Sequence, residues 1–370
     1  MTEGLKLLKV LLRASEKAGN IARVCRQNQA LFKLLIQEKK DDEKNPRFFQ
    51  DFKTLADVLI QECIRHEIKQ EFPELAKMVR GEETNVFSNT LGKTVVVEVR
   101  PSCPETTELL SVVLDNDVET AQLLAIEIHR EITLAEVPID GTLDDCDVDI
   151  DINDLGIWID PIDATADYIN GKTLVDEATG LHLSGLRCVT VLIGAYSRSS
   201  GHAILGVVNQ PFYSNNDSQW RGHCYWGFSN GEKCQCSFVK PNCMNKVAII
   251  SRVEDQNVRE KLEENGYHLI AVAGAGYKIL SIAIGLADVY ILSKPTTFRW
   301  DTCGPQALLR SLGGGIIDFA KFVNNTNSND LDIKYYENET SFANRGGLIA
   351  YRDQTSLEDL RKSLVVHTKL

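Results

Sequence analysis

Acidic residues in three separated segments of this 370-residue chain are of the kind that binds divalent metal ions. The chain already carries a formal net charge of -12, and neighbouring carboxylates repel one another unless cations lie between them. If the three segments meet in space, they therefore predict a divalent-metal site. The residues are Glu82 and Glu83 after Gly81, Asp160 and Asp163 on either side of Pro161-Ile162, and Asp301 after Trp300.

The segment Asp160-Pro161-Ile162-Asp163 offers the strongest local signal. Proline ends a strand ladder and fixes φ, so we expect the buried strand of residues 156–160 to stop there and both carboxylates to approach one point. Ala164 and Thr165 then begin a predicted helix, whose backbone N–H groups favour a phosphate. An Asx turn followed by an ordinary N-cap is the alternative interpretation of this segment.

The other acidic residues are less informative when each is taken alone. Asp301 could be a simple N-cap, Glu82 and Glu83 could form an exposed acidic loop, and Asp51 could be a surface residue. Their weight comes from occurring together in one chain.

Together these motifs resemble the lithium-sensitive, magnesium-dependent phosphomonoesterase superfamily, which contains inositol monophosphatase, fructose-1,6-bisphosphatase and bisphosphate nucleotidase. That family has D-x-x-T, G-E-E, W-x-D-P-[IL]-D-[GS]-T and W-D in this order. The resemblance covers nearly the whole chain, and it implies an α/β (α+β) layered sandwich of the αβαβα sugar-phosphatase type. The matching segments are Asp51 to Thr54, Gly81 to Glu83, residues 158–165 with Ala164 as the one mismatch, and Trp300-Asp301.

The resemblance implies a role for each residue of the metal site. Two or three Mg²⁺ ions would be bound, with Li⁺ as an inhibitor, and Glu83 would help to hold a further metal and its water. Thr165 would polarise the attacking water, and Asp51 would accept the hydroxyl proton of Thr165. The implied metal ligands are Glu82, Glu83, Asp160, the carbonyl of Ile162, Asp163 and Asp301.

The implied substrate contacts include a glycine-rich segment in the second half of the chain. As a dinucleotide fingerprint this segment fails, because Ile279 stands where the third glycine belongs, and a plain strand-to-helix turn is the alternative. Lys278 could pair with a second phosphate or be an ordinary solvated lysine. The residues implied to contact substrate are Asp163, Ala164, Thr165, Gly274, Ala275, Lys278 and Thr296.

The resemblance implies hydrolysis of a phosphate monoester by a metal-activated water. The expected reaction removes the 1-phosphate of inositol 1,4-bisphosphate, and also of inositol 1,3,4-trisphosphate. A bisphosphate 3′-nucleotidase acting on 3′-phosphoadenosine 5′-phosphate is the alternative enzyme. A catalytically silent protein that binds inositol phosphates is the alternative outside enzymes.

The elements that must position these residues alternate between helix and strand, which indicates a layered fold. Apolar spacing over residues 5–40 predicts two amphipathic helices or one bent helix, and Thr54 with Asp57 is a capping box for the next helix. We expect two lobes, residues 1–160 and 161–370, with the active site between them.

Composition excludes several other classes of function. With 40 basic and 52 acidic residues the chain lacks the basic surface that binds nucleic acid. Ten scattered cysteines, of which only Cys234, Cys236 and Cys243 come near one another, do not have zinc-site spacing. We find no signal peptide and no membrane span, and we expect a cytoplasmic monomer with reduced thiols.

Overall fold

Strands of the described part of the chain form two large sheets and three two-stranded ribbons. The computed structural model describes residues 2–27, 32–39, 52–217, 219–240, 245–324, 331–336 and 341–365. The strands are β1 (Ile36–Glu38), β2 (Phe52–Thr54), β3 (Val79–Gly81), β4 (Val86–Ser88), β5 (Thr94–Val96), β6 (Leu155–Asp163), β7 (Leu174–Val175), β8 (His182–Ser184), β9 (Thr190–Ser197), β10 (Ala203–Asn216), β11 (Gln219–Ser229), β12 (Cys234–Cys236), β13 (Val247–Ile250), β14 (His268–Ala271), β15 (Val289–Leu292), β16 (Gly315–Ile317) and β17 (Leu348–Tyr351).

The first sheet has six strands in the order β12-β11-β10-β9-β6-β3, and the second has five in the order β14-β13-β15-β17-β16. Strands β9 to β12 form an antiparallel meander, whereas β3 joins the edge of the first sheet parallel to β6. In the second sheet, β13 pairs in parallel with β14 and β15, and β17 runs antiparallel to its neighbours.

Helices occupy three layers around and between the two sheets. The described helices are α1 (Glu3–Gln27), α2 (Leu55–Glu71), α3 (Pro73–Ala76), α4 (Cys103–Val113), α5 (Val118–His129), α6 (Thr165–Asn170), α7 (Gln256–Glu264), α8 (Ala275–Ala283), α9 (Arg299–Ser311), α10 (Phe319–Val323) and α11 (Gln354–Leu364). Helices α1 and α2 pack on the outer face of the first sheet, and α8 and α9 lie between the sheets. Helices α7, α10 and α11 cover the far face of the second sheet.

Alternation along the strands explains why each sheet is covered on both faces. On β6, Ile157 and Ile159 pack in the core with α1 and α2, whereas Trp158 between them packs in the core between the sheets. Because successive side chains of a strand point to opposite faces, a strand that is apolar throughout needs a helical layer on each side. The third core lies between the second sheet and its outer helices. The predicted αβαβα layered fold is confirmed.

Two local predictions meet different outcomes. The capping box at Thr54 is confirmed, since the Asp57 carboxylate accepts the Thr54 backbone N–H at 2.7 Å and the Asp57 N–H is donated back to the Thr54 hydroxyl. The prediction of helix through residue 40 is wrong, because Ile36–Glu38 form strand β1 and pair with β2. Pairing with a distant strand outweighs the local helical spacing.

The division into two lobes at residue 160 stays a prediction. Strand β6 runs across that position, and residues 79–236 supply the first sheet while residues 247–351 supply the second. Among the described helices, none combines the length and the apolarity that a membrane crossing needs.

Candidate metal centre

A β-bulge in β6 places Asp160 and Asp163 on the same side of the first sheet. Asp160 pairs with Leu192 of β9 and Asp163 with Thr190, so three steps on β6 correspond to two on β9. In a regular strand, the side chains of residues three positions apart point to opposite faces of the sheet. The extra residue of a bulge brings the two side chains to the same face. The strand was predicted to end at Asp160, but it continues through the proline to Asp163 and turns both carboxylates inward.

Parallel pairing of β3 with β6 brings in Glu82. Gly81 is in register with Ile159, and the Glu82 N–H is donated to the Ile159 carbonyl at 3.2 Å. Because the two strands are parallel, their carboxyl ends lie at the same edge of the sheet. Glu82, the residue after Gly81, is therefore next to Asp160, the residue after Ile159.

Gln61 of α2 fixes the backbone of the neighbouring Glu83. Its side-chain oxygen accepts the Glu83 N–H at 3.0 Å, and its amide donates to the Glu83 carbonyl. A side chain on Gly81 would overlap Gln61, since an added Cβ would lie 2.0 Å from the Gln61 oxygen. The glycine of the Gly-Glu-Glu motif is therefore required by close packing, and no motif in the sequence indicates that Gln61 takes part.

Asp301 reaches the same place from the first turn of α9. One of its oxygens accepts the Phe298 backbone N–H at 2.6 Å, so Asp301 closes the start of the helix and also faces the cluster. One carboxylate oxygen each from Asp160, Asp163 and Asp301 lie within 4.8 Å of one another. Three of the acidic residues that the sequence singled out therefore meet in space.

Burial and mutual repulsion disfavour the ionised forms of the carboxylates in this cluster. Burial raises the pKa of Asp160 well above its usual range, and the charges of Glu82, Asp163 and Asp301 raise it further. Burial likewise raises the pKa of Asp301, as do Asp163 and Glu82, while a hydrogen bond with Asp160 acts in the opposite direction. Among the described residues, no lysine or arginine forms a salt bridge with Asp160, Asp163 or Asp301, although the charge of Lys278 acts on Asp163.

The donor set fits a hard divalent cation. Its candidate ligand atoms are carboxylate oxygens, which suit Mg²⁺ or Ca²⁺, and the cluster contains no histidine or thiolate of the kind that selects zinc. Within the described residues, this cluster is the one group of three or more acidic, histidine or cysteine side chains with ligand atoms close enough to share an ion.

Asp163 also joins the first sheet to helix α8. Its oxygens accept the backbone N–H groups of Ala275 at 3.0 Å and Gly276 at 2.9 Å, and the Thr190 hydroxyl at 3.2 Å. Burial raises the pKa of Asp163 to about 6, although these donors and Lys278 lower it in part. The Ala275 N–H is therefore donated to a member of the carboxylate cluster, and a substrate contact by Ala275 stays a prediction.

Two other predicted substrate residues lie near this junction. Gly274 caps α8 with φ of +72°, and an added Cβ there would be 2.9 Å from an Asp163 oxygen, so glycine is needed on both counts. Lys278 is 3% exposed and its ammonium lies 4.9 Å from the centroid of the Tyr290 ring. The interpretation of Lys278 as a solvated surface lysine is therefore wrong.

Thr296 lies in the loop between β15 and α9, where its N–H is donated to the Lys294 carbonyl at 2.9 Å. It is half-buried. Its contact with substrate stays a prediction.

Ala164 and Thr165 turn the chain directly after the second aspartate. Ala164 has a left-handed backbone, with φ of 69° and ψ of 45°, and α6 begins at the next residue. The Thr165 hydroxyl donates to the Ile162 carbonyl at 3.0 Å, so the predicted water-polarising group and the predicted carbonyl ligand are direct neighbours.

Asp57 is a component of the site that the sequence assigned only to helix capping. It is fully buried, and one of its oxygens accepts both the Thr54 N–H at 2.7 Å and the Thr54 hydroxyl at 2.5 Å. Its other oxygen, Oδ1, has no hydrogen-bond partner within the described chain. Burial raises the pKa of Asp57 to about 7, and the charge of Glu82 contributes. The predicted catalytic Asp51 lies outside the described residues.

Comparison with known proteins identifies the class. The model of the inositol monophosphatase family matches residues 6–355, and the chain belongs to that family. The extragenic suppressor protein SuhB of Bartonella henselae has the same fold, with a TM-score of 0.54 and 12% identity over 99% of this chain and all of that one.

Among curated proteins, the chain is 42% identical to the inositol polyphosphate 1-phosphatase of Mus musculus, over 97% of each chain. It is 29% identical to a 3′(2′),5′-bisphosphate nucleotidase of Rattus norvegicus, over 53% of this chain and 57% of that protein.

Proposed function

We propose that this chain is a Mg²⁺-dependent, Li⁺-inhibited phosphatase that removes the 1-phosphate of inositol 1,4-bisphosphate, with inositol 1,3,4-trisphosphate as a second substrate. The observation that carries the proposal is the buried carboxylate cluster in a chain whose relative along its full length is an inositol polyphosphate 1-phosphatase. The nucleotidase alternative is less well supported, because its similarity covers about half of the chain.

We assign the magnesium ligands to Asp160, Asp163, Asp301 and Glu82, with the carbonyl of Ile162 completing the set and Glu83 assisting with a further ion. Bound Mg²⁺ would neutralise the phosphate oxygens and lower the pKa of the attacking water. The need of these buried carboxylates for a positive partner supports the assignment.

The chain's own groups then orient the reactants. Ala164 and Thr165 offer backbone N–H groups to the phosphate at the start of α6, and Lys278 offers a buried positive charge to the second phosphate. The Thr165 hydroxyl donates to the Ile162 carbonyl at 3.0 Å, which leaves the lone pairs of its oxygen to accept a hydrogen bond from the attacking water. For general base catalysis the hydroxyl proton turns from the Ile162 carbonyl to a carboxylate, which accepts it as the threonine oxygen takes a proton from the water.

Two aspartates compete for the role of that carboxylate, Asp51 from the sequence and Asp57 from the structure. The oxygen of Asp57 that caps no helix and has no partner in the described chain supports Asp57. The variants Asp51→Asn and Asp57→Asn decide between them. The variant that lacks the general base should lose on the order of a hundredfold or more in turnover, and the other should not. Equal and small losses in both variants would remove both from the mechanism.

Phosphate release tests the proposed function directly. Inositol 1,4-bisphosphate and 3′-phosphoadenosine 5′-phosphate are compared side by side with Mg²⁺, and then with added Li⁺, while the inositol product is identified by its phosphate position. Asp160→Asn is the inactive control, with its fold checked by circular dichroism. Preference for the nucleotide would overturn the substrate assignment, and no release from either compound would favour a silent binding protein.

A further inference from the structure

The Lys39 ammonium bridges the two carboxylates of the Gly-Glu-Glu loop. Its Nζ lies 2.5 Å from a Glu82 oxygen and 2.7 Å from a Glu83 oxygen, and the Lys39 side chain is 5% exposed. Lys39 directly follows β1, and the antiparallel ribbon of β1 with β2 ties this segment to the start of α2. A positive charge from a distant segment is thus held against a proposed metal ligand.

This contact gives both carboxylates of the loop a positively charged partner. Burial raises the pKa of Glu83 to about 8, and the Lys39 charge acts against that increase while Glu82 adds to it. Two neighbouring carboxylates, of which Glu83 is buried and Glu82 partly exposed, repel each other when both are ionised, so an ammonium between them stabilises the folded chain.

The same contact opposes metal binding at Glu82. A carboxylate oxygen that accepts a short, charge-assisted hydrogen bond is less available as a ligand. A fixed positive charge a few ångströms from a dication also repels it, with an effect on the order of tenfold or more in affinity.

We propose that Lys39 is a resident counter-ion that competes with one magnesium ion for Glu82 and Glu83. It acts as a positioning residue: it keeps the loop folded without metal, and it lowers the affinity of this one ion so that the ion exchanges readily. The proposal rests on the proposed function, because it takes Glu82 and Glu83 as magnesium ligands.

Calorimetric titration of Mg²⁺ into the metal-free protein tests this competition. Lys39→Met removes the charge and keeps the length of the side chain. We expect its weakest magnesium site to tighten by on the order of tenfold relative to wild type. We also expect a lower melting temperature without metal and a larger rise in melting temperature on adding Mg²⁺.

Lys17→Met is the matched control. Lys17 is also buried, and its ammonium lies 2.5 Å from a Glu67 oxygen, away from the acidic cluster. This variant should lose stability equally with and without Mg²⁺, and its magnesium affinity should equal that of wild type. Should Lys39→Met fail to fold without metal, Lys39→Gln replaces it, because the glutamine amide still donates a hydrogen bond without carrying charge.

Unchanged or weaker magnesium affinity in the Lys39 variants, with normal uptake by wild type, would overturn the competition and leave the proposed function standing. No magnesium uptake by the wild-type protein would overturn both. A tighter site in Lys39→Met but not in Lys17→Met supports the proposal.

Discussion

Replacing Ala164 by glycine should stabilise the protein, because the backbone at this position is left-handed. An alanine at φ of 69° and ψ of 45° is strained by about 1–2 kcal/mol relative to a right-handed backbone, and glycine is not. The greater conformational freedom of glycine in the unfolded chain lowers the free energy of unfolding by about 0.4–1 kcal/mol. The difference predicts that Ala164→Gly is more stable by about 0.5–1 kcal/mol.

Urea unfolding followed by fluorescence of the four tryptophans measures this difference. Gly171→Ala is the reciprocal control, since Gly171 ends the same helix with φ of +66° and its added Cβ would lie 2.9 Å from an Arg26 nitrogen. By the same balance of strain and unfolded-chain freedom we expect that control to lose about 0.5–1 kcal/mol, and more if the Arg26 side chain does not move away.

Turnover of Ala164→Gly should stay close to that of wild type, because the backbone N–H proposed to contact phosphate is retained. An Ala164→Gly protein that is less stable than wild type, with Gly171→Ala destabilised as expected, would refute the strain at Ala164 and the turn geometry inferred from it.

The remaining predictions concern charge and packing in the same centre. Without metal, the free energy of unfolding should fall as pH rises from about 5 to 8, because burial raises the pKa of Glu83 to about 8 and of Asp57 to about 7, and the folded state then binds more protons than the unfolded state. Urea midpoints measured in EDTA should therefore decline over this pH range, and saturating Mg²⁺ should remove the decline. A rise of the urea midpoint with pH in EDTA would contradict this prediction. Gly276→Ala should lower the free energy of unfolding by about 1–3 kcal/mol and weaken Mg²⁺ binding measured by calorimetry, because the added Cβ would lie 2.6 Å from the Thr190 hydroxyl beside Asp163. Wild-type stability and affinity in this variant would show that Thr190 and Asp163 can move to make room. Lys278→Met should raise KM for inositol 1,4-bisphosphate more than it lowers kcat, and an unchanged KM would exclude a contact with the second phosphate.

The sequence by itself determined the features that depend on short spacing along the chain. The capping box of Thr54 and Asp57 could be predicted because the two residues are three positions apart at a helix start. The acidic motifs and their order predicted the family, and they also singled out Asp160, Asp163 and Asp301, which the fold brings together.

Only the tertiary structure decided features that depend on contacts between distant segments. The bulge that turns Asp160 and Asp163 to one face comes from pairing with β9. The partners of Glu82 and Glu83 include Lys39 and Gln61, which lie 43 and 22 residues away along the chain, and Lys53. A carboxylate's burial and partners are set by the whole packed fold, and the local sequence that places an acid in a turn contains no information about which distant charge will face it.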